Sequence, residues 1–401
     1  MPDLVKIAVT LVFLIILLRK KMQVGYVLLL GSLLLAVLYL MPPAAVFITL
    51  RKALAGEETV KLALSLTAIK GFELVLREKD VMKGMMEAAR GIFSRRRAFI
   101  VSMPVLIGML PSVGGAYFSA PMVEEATREL EKLSAEEKGF INYWFRHPWE
   151  YILPLYPGIV LAAAVTRLGL RGLILANLPY SLMVAATGFF FGMRNAGGRL
   201  GDTGKRFSVK DFFSFLPIIG VLMMVILFGV ELEWALLTGL AGLVVFFRYP
   251  PRDIWRLVRH CLSLDVLVLI AGVMILKQTM EDSGAVARLG GFFSSEGVPL
   301  ILLLAVLPFV SGLLTGLTVG FVSATFPLLM SLQGGGTLHA LSFAFACGFL
   351  GVLLSPVHVC LILSREYFKA DLWGIYKRII PSAMLIFSVA LGEYLLFHSG
   401  G

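Results

Sequence analysis

The chain is built from a succession of apolar runs that carry few or no charged residues. The longest stretch without Asp, Glu, Lys or Arg extends from Gly297 to Ser364. A helix of about 20 apolar residues is long enough to cross a bilayer. Only 15% of the residues are charged and the mean hydropathy is +0.87, whereas a soluble chain carries about a quarter charged residues. The sequence therefore excludes a soluble enzyme and predicts an all-α polytopic membrane protein with about ten transmembrane helices.

The charges predict where the protein resides. Lys and Arg exceed Asp and Glu by 36 to 26, and basic cytoplasmic loops explain this excess without a nucleic-acid partner. The first apolar run, Leu4 to Leu18, precedes Arg19 and Lys20, which is the reverse of the charge order in a secretory signal. We expect this run to remain as the first span of a multi-pass protein in the cytoplasmic (inner) membrane of a prokaryote, with the lipid bilayer as its partner.

The apolar runs follow the same order in the two halves of the chain. The first half (1–193) and the second half (211–401) are separated by a basic linker at 194–210, which we expect in the cytoplasm. Each half is predicted to contain a re-entrant hairpin and a proline-interrupted helix among its spans. The predicted spans are 4–18, 23–41, 57–77, 172–193, 212–230, 234–247, 262–281 and 374–397; the hairpins are 98–130 and 298–331; the broken helices are 138–166 and 337–364.

The basic segments also predict that the halves are inverted copies. If these segments are cytoplasmic, the first half begins outside the cell and the second begins inside. Inverted repeats with broken helices are typical of secondary transporters, which bind substrate at the midplane where the breaks meet. The alternative is chance symmetry, since uncharged runs do not mark their own boundaries.

The first hairpin has its turn between Leu110 and Pro121. Proline and glycine interrupt the helix there, and the freed backbone groups must find water, protein or a ligand. A helix that begins after such a break can bind an anion through its N-terminal amides. The predicted substrate-binding residues are Ser112, Gly114, Gly115 and Ser119. A packed kink or a close helix contact is the alternative interpretation.

The second hairpin has its turn between Ser311 and Ser323. Glycine recurs every fourth residue here, with hydroxyl side chains between. Hydroxyls and carbonyls suit Na⁺, and hydroxyls and amides suit a carboxylate. The predicted substrate-binding residues are Thr315, Gly316, Thr318 and Gly320, and the predicted coupling-ion residues are Ser311 and Ser323. The same glycine spacing is also typical of two helices in close contact, so packing is an alternative function for this run.

Ionisable residues mark both broken helices. Arg146 is predicted to bind a substrate carboxylate, and His147 or Glu150 to take up a coupling proton, because an ionisable group at membrane depth indicates function. An aromatic belt at the membrane interface is the alternative. In the second half, Ser355 and His358 flank Pro356 and are predicted to contribute to coupling, although His358 also suits a purely structural hydrogen bond.

Several motifs are absent from the sequence. It contains no Walker motif and no HExxH motif, so neither P-loop ATP hydrolysis nor that type of metalloprotease is expected. The three cysteines, Cys261, Cys347 and Cys360, lack metal-ligand spacing and are predicted to be small core residues. We therefore expect no metal and no cofactor other than a bound Na⁺ in a sodium-coupled mechanism.

The sequence resembles the ion transporter superfamily in four segments: Leu110–Pro121, Arg146–Glu150, Ser311–Ser323 and Ser355–His358. It is most similar there to an uncharacterised prokaryotic family of integral membrane proteins, related to gluconate permeases, citrate–metal permeases, arsenite permeases and divalent anion:sodium symporters. The resemblance implies a scaffold and a transport domain, a homodimer, and elevator-like movement. Sodium–dicarboxylate symporters carry Ser-Asn-Thr at both hairpin tips, and this chain lacks that Asn.

These observations predict a permease that moves a small anionic, carboxylate-type solute by alternating access. The coupling ion is Na⁺ or H⁺. The alternatives are an intramembrane enzyme, which would use His147, His358 and Glu150 as a metal or acid/base cluster, and a channel that uses the same polar residues.

Overall fold

The protein is described by a computed structural model that covers residues 3–20, 22–92, 96–110, 115–128, 130, 133–196, 213–285, 288, 298–330, 332 and 336–398. These residues are mostly helical, and none of them forms a β-strand. The helices of the first half are α1 (Asp3–Arg19), α2 (Val24–Leu38), α3 (Pro43–Ala55), α4 (Glu57–Glu78), α5 (Val81–Ile92), α6 (Arg96–Gly108), α7 (Gly115–Thr127), α8 (Ala135–Trp144), α9 (Pro157–Thr166) and α10 (Leu170–Gly192). Those of the second half are α11 (Leu216–Ile226), α12 (Leu232–Phe246), α13 (Pro251–Cys261), α14 (Leu264–Asp282), α15 (Leu300–Thr315), α16 (Thr318–Leu329), α17 (Leu338–Leu354), α18 (Val359–Phe368) and α19 (Leu372–His398). Short 3₁₀ helices occur at His147–Tyr151 and Phe213–Phe215.

Helix length and composition support the expectation of a membrane protein. Among the described residues, four helical stretches are long and apolar enough to cross a bilayer: Leu170–Gly192, Pro251–Asp282, Leu338–Phe368 and Leu372–Phe397. Shorter apolar helices, including α1, α2, α12, α15 and α16, accompany them. Helix α3 lies where the sequence predicts no element, because its 13 residues include Arg51 and Lys52 and are too few for a span.

The helices pack into two groups, and each group takes helices from both halves of the chain. The first helix group consists of α1–α4 and α11–α14, with close pairs such as α2 with α14 and α4 with α12. The second helix group consists of α6–α10 and α15–α19, with close pairs such as α15 with α17 and α8 with α18. Contacts between the groups are fewer than those within them, although the buried apolar side chains of both groups form one continuous core.

An ion pair links the two groups at Glu58 of α4. The Glu58 carboxylate accepts from Lys277 of α14 at 3.3 Å and from Arg167 at 2.7 Å. Arg167 follows α9 in the second group, and Lys277 also donates to the carbonyl of Ala164 in α9 at 3.4 Å. Lys277 is buried, so Glu58 and the α9 carbonyl supply the partners that its ammonium needs away from water.

Two helices of the second group are interrupted beside prolines. Helix α8 ends at Trp144, and α9 begins at Pro157, whose missing N–H costs nothing in the first turn. Helix α17 ends before Ser355, Pro356 follows, and α18 begins after His358. Because proline cannot donate the backbone hydrogen bond that a continuous helix requires, both interruptions have a local cause.

Paired helices lie beside these interruptions. Helix α6 packs along α7, and α15 packs along α16. Helix α15 ends at Gly316, which has a φ of 64° in the left-handed region that glycine adopts without strain. The turn at Gly316 and Leu317 therefore forms the tip of the second helix pair.

Glu137 fixes the start of α8, the helix that leads to the first interruption. Its carboxylate accepts from the backbone N–H of Ser134 at 2.9 Å, from Arg378 of α19 at 3.0 Å and from Asn195 at 2.9 Å. The Ser134 hydroxyl accepts from the backbone N–H of Glu137 and completes a capping box. Glu137 thus joins α8 to α19 and to the end of α10.

We expect Glu137→Ala to destabilise the protein by about 2–3 kcal/mol, because it leaves the half-buried Arg378 and a helix cap without their carboxylate acceptor. Thermal unfolding in detergent measures this change. Glu124→Ala is the control, since Glu124 pairs with Lys138 at an exposed position worth less than about 1 kcal/mol. Equal stability of the two variants would show that Glu137 does not fix α8.

Candidate ligand site at the two helix breaks

The two interruptions and the tip of the second helix pair lie against one another. A Cβ at Gly316 would lie 3.0 Å from the backbone nitrogen of His358 and 3.2 Å from the Ser355 hydroxyl. Gly158, in the first turn of α9, lies directly against Thr318, the first residue of α16. The N-terminal ends of α9, α16 and α18 therefore converge. Their unpaired amides and positive dipole ends form an environment that favours an anion.

The first helix pair contacts the first interruption. The end of α6 at Gly108 lies directly against the backbone of Arg146, too close for any side chain at that position. The Tyr156 hydroxyl donates to the Gly108 carbonyl at 2.5 Å, and the Trp149 indole donates to the Val105 carbonyl at 2.8 Å. These two hydrogen bonds and the close approach of Gly108 to Arg146 fix the end of α6 against the first interruption.

Arg146 is the most unusual charged residue of this region. Its side chain is only 3% exposed, and its Nε and Nη1 atoms have no hydrogen-bond partner. It lies within electrostatic range of Tyr156 and Cys360. Because buried guanidinium donors without acceptors are costly, Arg146 is a candidate position for an anionic ligand.

His147 and His358 face each other across the two interruptions. Their Nε2 atoms are 3.2 Å apart, and both rings are buried. The Nδ1 of His147 lies 2.6 Å from the carbonyl oxygen of Tyr143, and that of His358 lies 2.8 Å from the carbonyl oxygen of Gly316. The sequence predicts a role for each histidine, and the structure brings the two together.

Glu150 and Thr318 connect the first interruption with the tip of the second helix pair. The Thr318 hydroxyl donates to Glu150 Oε2 at 2.7 Å. Glu150 Oε1 lies 3.8 Å from His147 Nε2. Both residues are predicted from the sequence as site residues, and they lie in contact although 168 positions separate them.

Cys360 completes this cluster, although the sequence analysis assigns it only to the core. Its sulfur and one ring nitrogen of each of His147 and His358 all lie within 4.8 Å of one another. All three residues are buried. The available sequence signal is the His358-x-Cys360 spacing beside Pro356, which places both side chains at the start of α18.

Ser119 lies in a separate polar network. Its hydroxyl donates to Asn142 Oδ1 at 2.6 Å, and the Asn142 amide donates to Ser364 at 2.8 Å and to the Ala116 carbonyl at 3.0 Å. This network joins α7, α8 and α18. Since the polar atoms of Asn142 are occupied by protein partners, these contacts position the helices around the site. Asn142 and Ser364 are absent from the residues predicted from sequence.

The remaining predicted residues occupy several environments. The hydroxyls of Thr315 and Ser323 donate to the carbonyls of Ser311 and Val319, one turn earlier in their helices. The Ser311 hydroxyl is buried without a partner. Gly320 lies against Thr315, and Ser355 is buried and accepts from the backbone N–H of Val357 at 3.4 Å. Gly115 is the first residue of α7, whereas Ser112, Gly114 and most of the 194–210 linker lie outside the described residues.

Comparison with known proteins gives a family. Residues 4–397 match a family described as "Protein of unknown function (DUF401)", and the chain therefore belongs to that family. No curated protein matches the chain.

Proposed function

We propose that this member of the DUF401 family is a secondary active transporter. It moves a small anionic, carboxylate-type solute across the cytoplasmic membrane, coupled to Na⁺ or H⁺, by elevator-like alternating access. The observation that carries the proposal is Arg146, a buried guanidinium whose Nε and Nη1 lack acceptors and which lies within electrostatic range of Tyr156 and Cys360, at the starts of α9 and α18.

A carboxylate fits the chemistry of this position. Arg146 offers unoccupied N–H donors at Nε and Nη1, and a carboxylate oxygen is an acceptor with which a guanidinium forms strong, charge-assisted hydrogen bonds. The first-turn amides of α16 and α18 add further donors without adding another full positive charge. The anion would also remove the cost of leaving Arg146 buried without a partner.

The arrangement of the helices supports a carrier. All the described residues of the candidate site belong to the second helix group, so this group can move as a unit while the site remains intact. We assign it as the transport domain and the first helix group as the scaffold. The Glu58–Arg167 ion pair and the hydrogen bond from Lys277 to the Ala164 carbonyl lie between the two groups, where movement would break and remake them.

The element order supports two inverted repeats. In each half a helix that begins at a Pro-Pro pair, α3 at Pro43 and α13 at Pro251, lies between the second and third longer helices. A pair of helices, an interrupted helix and a final long helix then follow in each half. The resemblance to the ion transporter superfamily agrees with this architecture and adds the expectation of a homodimer.

A thermal-shift screen tests the function. Detergent-purified protein is heated with carboxylates, sugar acids, oxyanions and amino acids, each in Na⁺ and in choline. A ligand at 100 times its Kd stabilises the folded state by about 2.7 kcal/mol, so we expect one class of acid to raise the Tm by several degrees. A shift that requires Na⁺ identifies sodium coupling, and a shift independent of Na⁺ indicates proton coupling.

Uptake into proteoliposomes then tests transport itself. For the solute found in the screen, we expect saturable accumulation that requires an imposed Na⁺ or H⁺ gradient. Conductance without saturation would favour a channel instead. If no anion shifts the Tm of well-folded protein, the proposal of an anion carrier is wrong.

A further inference from the structure

We propose that His147, His358 and Cys360 bind one transition-metal ion of the soft or borderline class to which Zn²⁺ and Co²⁺ belong. The three side chains are buried, and their ligand atoms lie within 4.8 Å of one another. This site is distinct from the anion position at Arg146, and the inference does not depend on the protein being a transporter.

The hydrogen bonds of the two histidines orient them for metal binding. Each Nδ1 faces a backbone carbonyl oxygen, which can only accept, so each Nδ1 must carry the ring proton. In the neutral imidazoles both Nε2 atoms therefore present lone pairs. Metal-binding histidines are held in this way, with one ring nitrogen donating to a carbonyl or carboxylate and the other ligating the ion.

The separation of the two Nε2 atoms also fits a shared ion. Two unprotonated ring nitrogens 3.2 Å apart repel unless a positive charge lies close to both of them. Zinc binds imidazole nitrogens at about 2.05 Å. An ion at that distance from both Nε2 atoms, which are 3.2 Å apart, would make an N–metal–N angle of about 103°. This value is close to the tetrahedral angle of about 109° that zinc prefers.

The charges available at the cluster suit a divalent ion. Binding would release the thiol proton of Cys360, and the resulting thiolate would neutralise one of the two positive charges. Glu150 is the nearest further ligand, because its Oε1 lies 3.8 Å from His147 Nε2. A small movement of this carboxylate would supply the fourth ligand and neutralise the second charge.

The ion would join separate parts of the second helix group. His147 lies at the interruption between α8 and α9, whereas His358 and Cys360 lie at the start of α18. His358 also holds the carbonyl of Gly316 at the tip between α15 and α16. Metal binding is therefore expected to raise the Tm of the folded protein.

Cobalt titration tests the site directly. The protein is treated with a chelator, dialysed and titrated with Co²⁺, and bound metal is counted by elemental analysis. We expect one Co²⁺ per chain and a near-ultraviolet sulfur-to-cobalt charge-transfer absorption, which requires a thiolate ligand. Cys360→Ser should remove this absorption. Cys347→Ser and Cys261→Ser, which alter buried cysteines outside the cluster, should retain it.

Histidine variants test the nitrogen ligands. The double variant His147→Gln/His358→Gln should bind Co²⁺ at least about 100-fold more weakly, whereas His339→Gln/His260→Gln should bind it normally. Thermal unfolding of each variant without metal confirms that it is folded. Absence of Co²⁺ binding by folded wild-type protein would overturn the proposal and leave a proton shared between the two imidazoles as the alternative.

The same preparations separate this inference from the proposed function. If the chelated protein still shows an anion-dependent thermal shift but binds no Co²⁺, only the metal site is wrong. If Co²⁺ binds at the three residues and no anion shifts the Tm, only the anion carrier is wrong. Equal binding and absorption in wild-type protein and Cys360→Ser would exclude the thiolate from the site.

Discussion

Replacing Arg146 with methionine is expected to remove anion binding while leaving the ligand-free protein as stable as before, or more stable. Methionine keeps much of the side-chain volume but removes the charge. A hydrogen bond to a charged group contributes about 1.5–3 kcal/mol, so the affinity for the anion should fall roughly 10- to 140-fold. Since Nε and Nη1 of Arg146 have no partner, the substitution breaks no hydrogen bond at those atoms and removes a buried charge.

Two measurements check this prediction: the Tm of ligand-free protein and the increase in Tm caused by the solute. Arg378→Met is the matched control, because Arg378 pairs with the buried carboxylate of Glu137 at 3.0 Å. The control should lose stability and keep the solute-dependent increase. Arg146→Lys should give an intermediate affinity, since lysine supplies the charge without the planar, fixed donor geometry of a guanidinium. Arg146→Met that unfolds early but still binds the solute would assign Arg146 a structural role instead.

The helix breaks illustrate what the sequence can predict. Proline lacks a backbone donor and disfavours a continuous helix, and the structure has α9 beginning at Pro157 and α17 ending two residues before Pro356. Other prolines, such as Pro179 and Pro308, lie inside helices, so proline alone does not locate an interruption. Helix α3 is harder to predict, because its short length and its two basic residues give no span-like signal. Helix α13, by contrast, is recognisable from strong amphipathicity.

The composition of the site is only partly readable from sequence. Arg146, His147, Glu150 and His358 are recognisable because ionisable residues are rare in apolar segments. Cys360 gives no such signal, since a cysteine in an apolar segment is most often a small core residue. Its position beside the two histidines follows from the packing of α18 against α8.

The glycine run from Ser311 to Ser323 shows how one pattern can serve two purposes. Sequence alone supports either a ligand site or close helix packing, because both need residues without a Cβ. The structure divides the run by position. Gly312 lies against the backbone of α17, whereas Gly316 forms the tip that contacts His358. Periodicity cannot make this distinction, which depends on where α15 ends.

We expect Gly312→Ala and Gly351→Ala each to destabilise the protein by about 3 kcal/mol, and the double variant to prevent folding. A Cβ at Gly312 would overlap the carbonyl oxygen of Gly348 and lie 3.0 Å from the nitrogen of Val352. A Cβ at Gly351 would overlap the carbonyl oxygen of Phe309. These obstacles are backbone atoms, so no side-chain rotation relieves them, and α15 and α17 would have to separate.

Thermal unfolding and the yield of monodisperse protein in detergent measure this effect, and Gly242→Ala is the control. Gly242 is also helical, but a Cβ there would meet no atom within 4 Å, so alanine should be neutral or stabilise α12 by up to about 1 kcal/mol.

Separation of α15 from α17 would also move Gly316 away from His358, since Gly316 caps the C-terminal end of α15. Any Gly312→Ala protein that folds should therefore bind Co²⁺ more weakly than the wild type. A Gly312→Ala protein with the Tm and the Co²⁺ affinity of the wild type would show that α15 and α17 do not approach so closely, and that the tip is positioned in another way.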